Sequence, residues 1–174
     1  MKEKRRLWVI LAVIWMIVIF SFSAKPSDES SEESLFVGHI VGQIFVKDFE
    51  NWTVGEQEAF AESINYPIRK TAHATEYAIL GFLTFQAWKS QAWRRETNSG
   101  KRRTYGVRGC AIMAWVVSTA YAATDEIHQI FVPGRACMAT DVMIDSAGAA
   151  AGILLTILIG HIIIGRKRRR HDGN

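Results

Sequence analysis

The chain has 174 residues, 49% of them hydrophobic, and a formal net charge of +4. Those totals would suit one small globular domain and leave no room for a second large one. The grouping of the apolar residues excludes a soluble domain, because four runs approach the ~20 residues that a helix needs to cross a bilayer.

The first run, Leu7 to Ala24, follows the basic stretch KEKRR. A cleavable signal peptide competes for it, since SFS offers a cut after Ser23. The run is long for that role, and its removal would not change the sidedness of anything downstream. Next comes SAKPSDESSEES, in which Pro26, the serines and the acidic residues end the helix and pass through solvent. Ser34 is placed to cap a short helix with Phe36, Ile40 and Ile44 on one face. Thr53 and Glu56 form a capping-box pattern for another, VGEQEAFAESI. Neither is expected to cross the membrane, and both should lie on its outer surface or cover the bundle.

The second run, Thr71 to Trp88, has Pro67 at a suitable helix start. Arg69, His73 and Glu76 follow at i, i+4 and i+7, which places them on one face. Lys70 and Tyr77 lie about 100° further round. A short basic loop, Lys89 to Arg108, carries a turn signal at Asn98, Ser99 and Gly100. The third run, Val107 to Thr124, leads into DEIHQIFVPGR, where Asp125, His128 and Gln129 cluster and Glu126 turns aside. Pro133 and Gly134 form a tight turn that directs Arg135 back towards the helix ends. The fourth run, Val142 to Ile164, carries Asp141 and Asp145 at its start. Gly148 and Gly152 below them form a GxxxG frame that lets helix backbones approach.

Sixteen of the 21 Lys and Arg residues fall in KEKRR, the Lys89 to Arg108 loop and RKRRR. Cytoplasmic segments carry such an excess, so both termini and the middle loop are expected inside. The expected architecture is therefore all-α, a multi-pass membrane protein with four transmembrane helices and short amphipathic outer helices. It forms a single domain over 1–174, with a core at about 7–164 and a basic cytoplasmic tail at 165–174. Topology and anionic lipid account for the basic runs, so no nucleic-acid partner is expected. Cys110 and Cys137 flank the third run at opposite membrane levels, which excludes a disulfide and suggests inert packing residues.

Three outer helix ends thus converge. His73, Glu76, Asp125 and His128 are the candidates for acid or base chemistry. Arg69, Lys70, Glu126, Gln129, Arg135, Asp141 and Asp145 are the candidates for holding a ligand, the cations suiting phosphate or carboxylate. The competing view is that the cations only neutralise carboxylates so that the bundle can bury them. Neither His73-x-x-Glu76 nor Glu126-x-His128 has a recognised zinc spacing, so no metal is assigned. No nucleophile motif such as GxSxG is present, and the cofactor question stays open.

At these residues the sequence resembles the VanZ-like family of small bacterial membrane proteins. The resemblance rests on FSFSAKPSDESSEES, RKTAHATEYAILG and DEIHQIFVPGRACMATDVMIDSAGAAAG, in that order, from about Leu7 to Leu155. Asp145 stands where the family's final motif is expected to carry Asn or Asp, and residues 35–66 match no motif. The resemblance implies a bacterial plasma-membrane location. It also implies an association with glycopeptide resistance, since the founding member is linked to low-level teicoplanin resistance; no reaction comes with it. Three functions follow as expectations. The first is an outer-leaflet site for an anionic lipid-linked or amphiphilic ligand, such as a cell-wall precursor or a lipoglycopeptide. The second is a small transporter in which Glu76 and Asp145 relay charge. The third is a non-catalytic partner of envelope machinery.

Overall fold

The computed structural model describes residues 2–99 and 106–171, with side chains over 3–89 and 106–163. The described residues form α1 (Lys2–Ser23), α2 (Ser27–Phe45), a 3-10 turn (Phe49–Asn51), α3 (Val54–Ser99), α4 (Val107–Gln129) and α5 (Ala139–His171). Among them there is no strand. The chain is all-α, as expected. The helix α5 continues through the basic tail to His171, while residues 172–174 lie outside the described residues.

The first helix stops at Ser23 because Pro26 has no N–H and disfavours a helical residue before it. Instead of a solvated linker, α2 starts at once at Ser27, with Asp28 and Glu29 in its first turn, where carboxylates suit the helix dipole. Ser34 therefore caps nothing. It is buried in mid-helix, where its Oγ bonds the Ser30 carbonyl and Asn65 Oδ1.

The capping box forms as expected. The Thr53 N–H donates to Glu56 Oε2 at 2.8 Å and the Glu56 N–H to Thr53 Oγ1 at 3.3 Å. These bonds from Thr53, the backbone one first, hold the Glu56 carboxyl below its usual pKa. The helix it starts is not short: α3 runs 46 residues through Pro67, about 69 Å at 1.5 Å per residue. Pro67 removes the helical donor of the Ser63 carbonyl, and Ser63 lies on the exposed side of the helix. The predicted second outer helix and second span are one element. Of the predicted turn, Asn98 and Ser99 belong to α3, and Gly100 lies outside the described residues.

Every other helix packs against α3. Its seam with α5 is lined by the smallest residues. A Cβ on Gly148 would sit 2.2 Å from the Ala74 carbonyl oxygen, and one on Gly152 2.0 Å from that of Ala78. The expected GxxxG frame is thus in use as a backbone contact. The core beside it holds Ile19, Tyr77, Leu80, Ala122 and Ala149, and a second cluster holds Phe85, Cys110, Ala114 and Ile153. Cys110 is a packing residue, but Cys137 is exposed, so the packing expectation fails for the second thiol.

Among the described residues two stretches are long and apolar enough to cross a membrane, Glu3–Ser23 and Ala139–Ile163. Only 17% and 22% of their most apolar windows is buried, unlike core helices of soluble proteins. α1 is also built into the bundle. Trp15 Nε1 donates to the Glu76 carbonyl at 2.9 Å, and Tyr121 Oη donates to the Met16 carbonyl at 2.6 Å.

Candidate functional site

The polar residues gather where α1 ends, α2 begins and the α4–α5 turn crosses them. That turn is set by Gly134, whose φ of 71° is a left-handed value suited to glycine. Its ends grip the α1–α2 junction. The Ser27 N–H donates to the Pro133 carbonyl at 3.1 Å, and Arg135 Nε donates to the Lys25 carbonyl at 3.2 Å. Arg135 therefore points back over the helix ends, as its Pro-Gly turn predicts.

A cleft of ≈ 230 Å³ opens between α2 and α3 beneath this turn. Arg69, His73 and Glu76 line it from α3, as their shared helix face predicts, and Arg135 lines it from the turn. Phe22, Val37, Ile68 and Ala72 supply an apolar wall, and Ser30, Glu33 and Ser34 of α2 complete it. The two arginines make little use of their donors within the protein. Arg69 Nη1 reaches Ser31 Oγ at 3.4 Å, and neither guanidinium forms an ion pair among the described residues. Burial, and then the charge of Arg69, pull the Arg135 pKa below its ordinary value. His73 Nδ1 stands 3.9 Å from Glu76 Oε2, adjacent but beyond hydrogen-bond range.

The remaining candidates divide into two groups. Lys70 and Asp141 neutralise each other across the α3–α5 seam at 2.5 Å, and Lys70 also lies over the Tyr66 ring at 5.1 Å. Glu126 is buried and accepts the Met138 N–H at 2.9 Å, which fixes the approach to α5. Burial pushes its carboxyl above the usual range, partly offset by that N–H. Both sets of partners are internal, which fits the structural alternative weighed for these charges.

Behind the cleft lie Asp125, Gln129 and Asp145, each 2–3% exposed, and the half-buried His128. The His128 ring stacks on Phe20 with centroids 4.4 Å apart. Gln129 Nε2 donates to Ser23 Oγ at 3.3 Å. Ser23 and Gln129 stand beside the Asp125 carboxylate, yet neither of its buried oxygens makes a well-formed hydrogen bond. Among the described residues no three His, Cys, Asp or Glu side chains are disposed to hold a metal ion.

From the first helix to the fifth, over residues 8–160, the chain matches the model of a known family. The protein belongs to the VanZ/LLP1 family. No curated protein and no solved structure matches it. The VanZ/LLP1 match includes every candidate site residue and most of both membrane-competent helices. Sequence reasoning missed Ser23 and the α2 wall. SFS and SAKPSDESSEES read locally as a cleavage site and a linker, although both lay within the family resemblance.

Proposed function

We propose that the cleft binds the anionic head of an amphiphile, lipid-linked or of glycopeptide type, at the outer face of a bacterial plasma membrane. The observation that carries this is the pair Arg69 and Arg135, which face one partly apolar cleft with no carboxylate bonded to either. Two guanidiniums held together repel, and a phosphate or carboxylate between them relieves that repulsion while accepting their forked N–H groups. Phe22, Val37, Ile68 and Ala72 would meet the ligand's apolar part, and His73 and Glu76 could exchange a proton with it.

The placement rests on four membrane crossings with both termini inside, as the Lys and Arg distribution indicates. Large apolar side chains are exposed on α1, α4 and α5, among them Ile14, Ile17, Ile112, Val116, Leu154 and Leu158, a surface that lipid would cover. A role in glycopeptide resistance follows from the family's association and is part of the proposal.

The test is teicoplanin susceptibility of a sensitive bacterium expressing the wild type, Arg69→Ala or Arg135→Ala, with membrane abundance followed by blotting. Each substitution should weaken ligand binding by ~2 kcal/mol, about 30-fold, and remove protection at unchanged abundance. Equal protection by all three proteins would sink the proposal.

A second function, as a partner of envelope machinery, is favoured by the arm formed by α2 and the first half of α3. It exposes Phe36, Ile44, Phe45 and Val54, each between 66% and 79% exposed. Under that function, Phe45→Glu and Val54→Lys would abolish the phenotype and the arginine substitutions would not.

A further inference from the structure

We infer that Asp125 and Asp145 form a buried binding site for a small positive charge, an alkali-metal ion or a proton, with the Tyr77 hydroxyl as a third oxygen-bearing group. The two carboxylates come from different helices and are 3% and 2% exposed. Both Asp125 oxygens and Oδ1 of Asp145 are buried without a hydrogen-bond partner. The independent observation is Tyr77. It is fully buried, its Oη also lacks a partner, and it packs in one buried cluster with Ala122, a turn before Asp125, and Ala149, a turn after Asp145. Four buried oxygens on three helices, all unsatisfied, describe a site made for something they bind in common.

The cations of the protein do not fill this role. Lys70 is taken by Asp141, and no ion pair reaches Asp125 or Asp145 among the described residues. The neighbouring carboxylates add to the demand. Glu76 faces the pair from α3, Glu126 from α4 and Asp141 from α5, while His128 and Arg135 approach Asp125. The end of α1 contributes Ser23, beside Asp125, and no titratable group. Two buried carboxylates with no ion pair between them and any cation among the described residues are costly to leave ionised in such a place, and a small positive charge entering with them relieves that cost. Hard anionic oxygens and a hydroxyl suit a proton or a hard cation rather than a soft metal.

The experiment follows the melting temperature of the purified, detergent-solubilised full chain by tryptophan fluorescence. Wild type, Asp145→Asn and Tyr77→Phe are compared in sodium chloride and in choline chloride of equal ionic strength, each in mildly acid and mildly alkaline buffer. A rise of a few degrees in sodium, lost in Asp145→Asn and reduced in Tyr77→Phe, identifies an alkali-metal occupant. A rise in acid alone, indifferent to sodium and lost in Asp145→Asn, identifies a proton. Binding of radioactive sodium to the wild type gives a direct reading that needs no variant to fold. A wild type indifferent to both sodium and pH, or an Asp145→Asn protein that keeps the full response, overturns the site.

Discussion

Gly152→Leu is expected to remove most folded protein from the membrane, with Gly148→Leu close behind. A side chain at 152 must begin with a Cβ 2.0 Å from the Ala78 carbonyl oxygen and 2.7 Å from its carbon. At 148 the corresponding distance to the Ala74 oxygen is 2.2 Å. The obstacle in both cases is the backbone of α3, which no rotamer change can clear, so the helices must separate. Overpacking in a well-filled core costs roughly 1–3 kcal/mol, and a backbone clash belongs at or above the upper end. The consequence reaches the polar site, because Asp145 lies one turn before Gly148 and would be carried away from Tyr77. Fluorescence-detected size exclusion and melting temperature read the effect. Gly160→Leu is the control, since a Cβ there meets nothing within 4 Å, and its melting temperature should stay near that of the wild type. Equal behaviour of Leu at 152 and at 160 would refute the seam.

Lys70→Met should destabilise the protein by roughly 3 kcal/mol, and Lys70→Met combined with Asp141→Leu should recover most of that loss. The pair closes at 2.5 Å with its side chains only 19% and 14% exposed, so removing the lysine leaves a carboxylate with little water to replace it. Removing both charges leaves nothing unpaired. The double-mutant cycle on melting temperature should therefore show strong coupling, within the 0.5–3 kcal/mol range of contacting pairs. Additive losses would mean that Lys70 and Asp141 act separately, and would return them to the ligand-holding group. The contrast with the arginines is the useful part: Lys70 has its carboxylate inside the protein, whereas Arg69 and Arg135 have none bonded to them.

What the sequence by itself determined was local. The spacing of Arg69, His73 and Glu76 put all three on the cleft face of α3, because 3.6 residues per turn fixes such a stripe wherever the helix packs. The Thr53–Glu56 capping box and the Pro133–Gly134 turn were legible for the same reason: each is closed by atoms a few residues apart. Gly148 and Gly152 announced a close helix contact, though not its partner.

Tertiary structure alone decided the rest. The continuity of α3 through Pro67 depends on packing along its length, which outweighs the local signal of a helix start. SAKPSDESSEES becomes helix and cleft wall because α2 lies against α3, where its small residues fit, as at Gly38 over Ala61. The choice of partners was equally hidden. Lys70 finds Asp141 across 71 residues of chain, and Gln129 finds Ser23 across 106. Helix spacing says which residues share a face, but only the packing of one helix on another says which faces meet. That packing pairs Lys70, leaves two arginines facing a cleft, and buries carboxylate oxygens of Asp125 and Asp145 and the Tyr77 hydroxyl without a well-formed hydrogen bond.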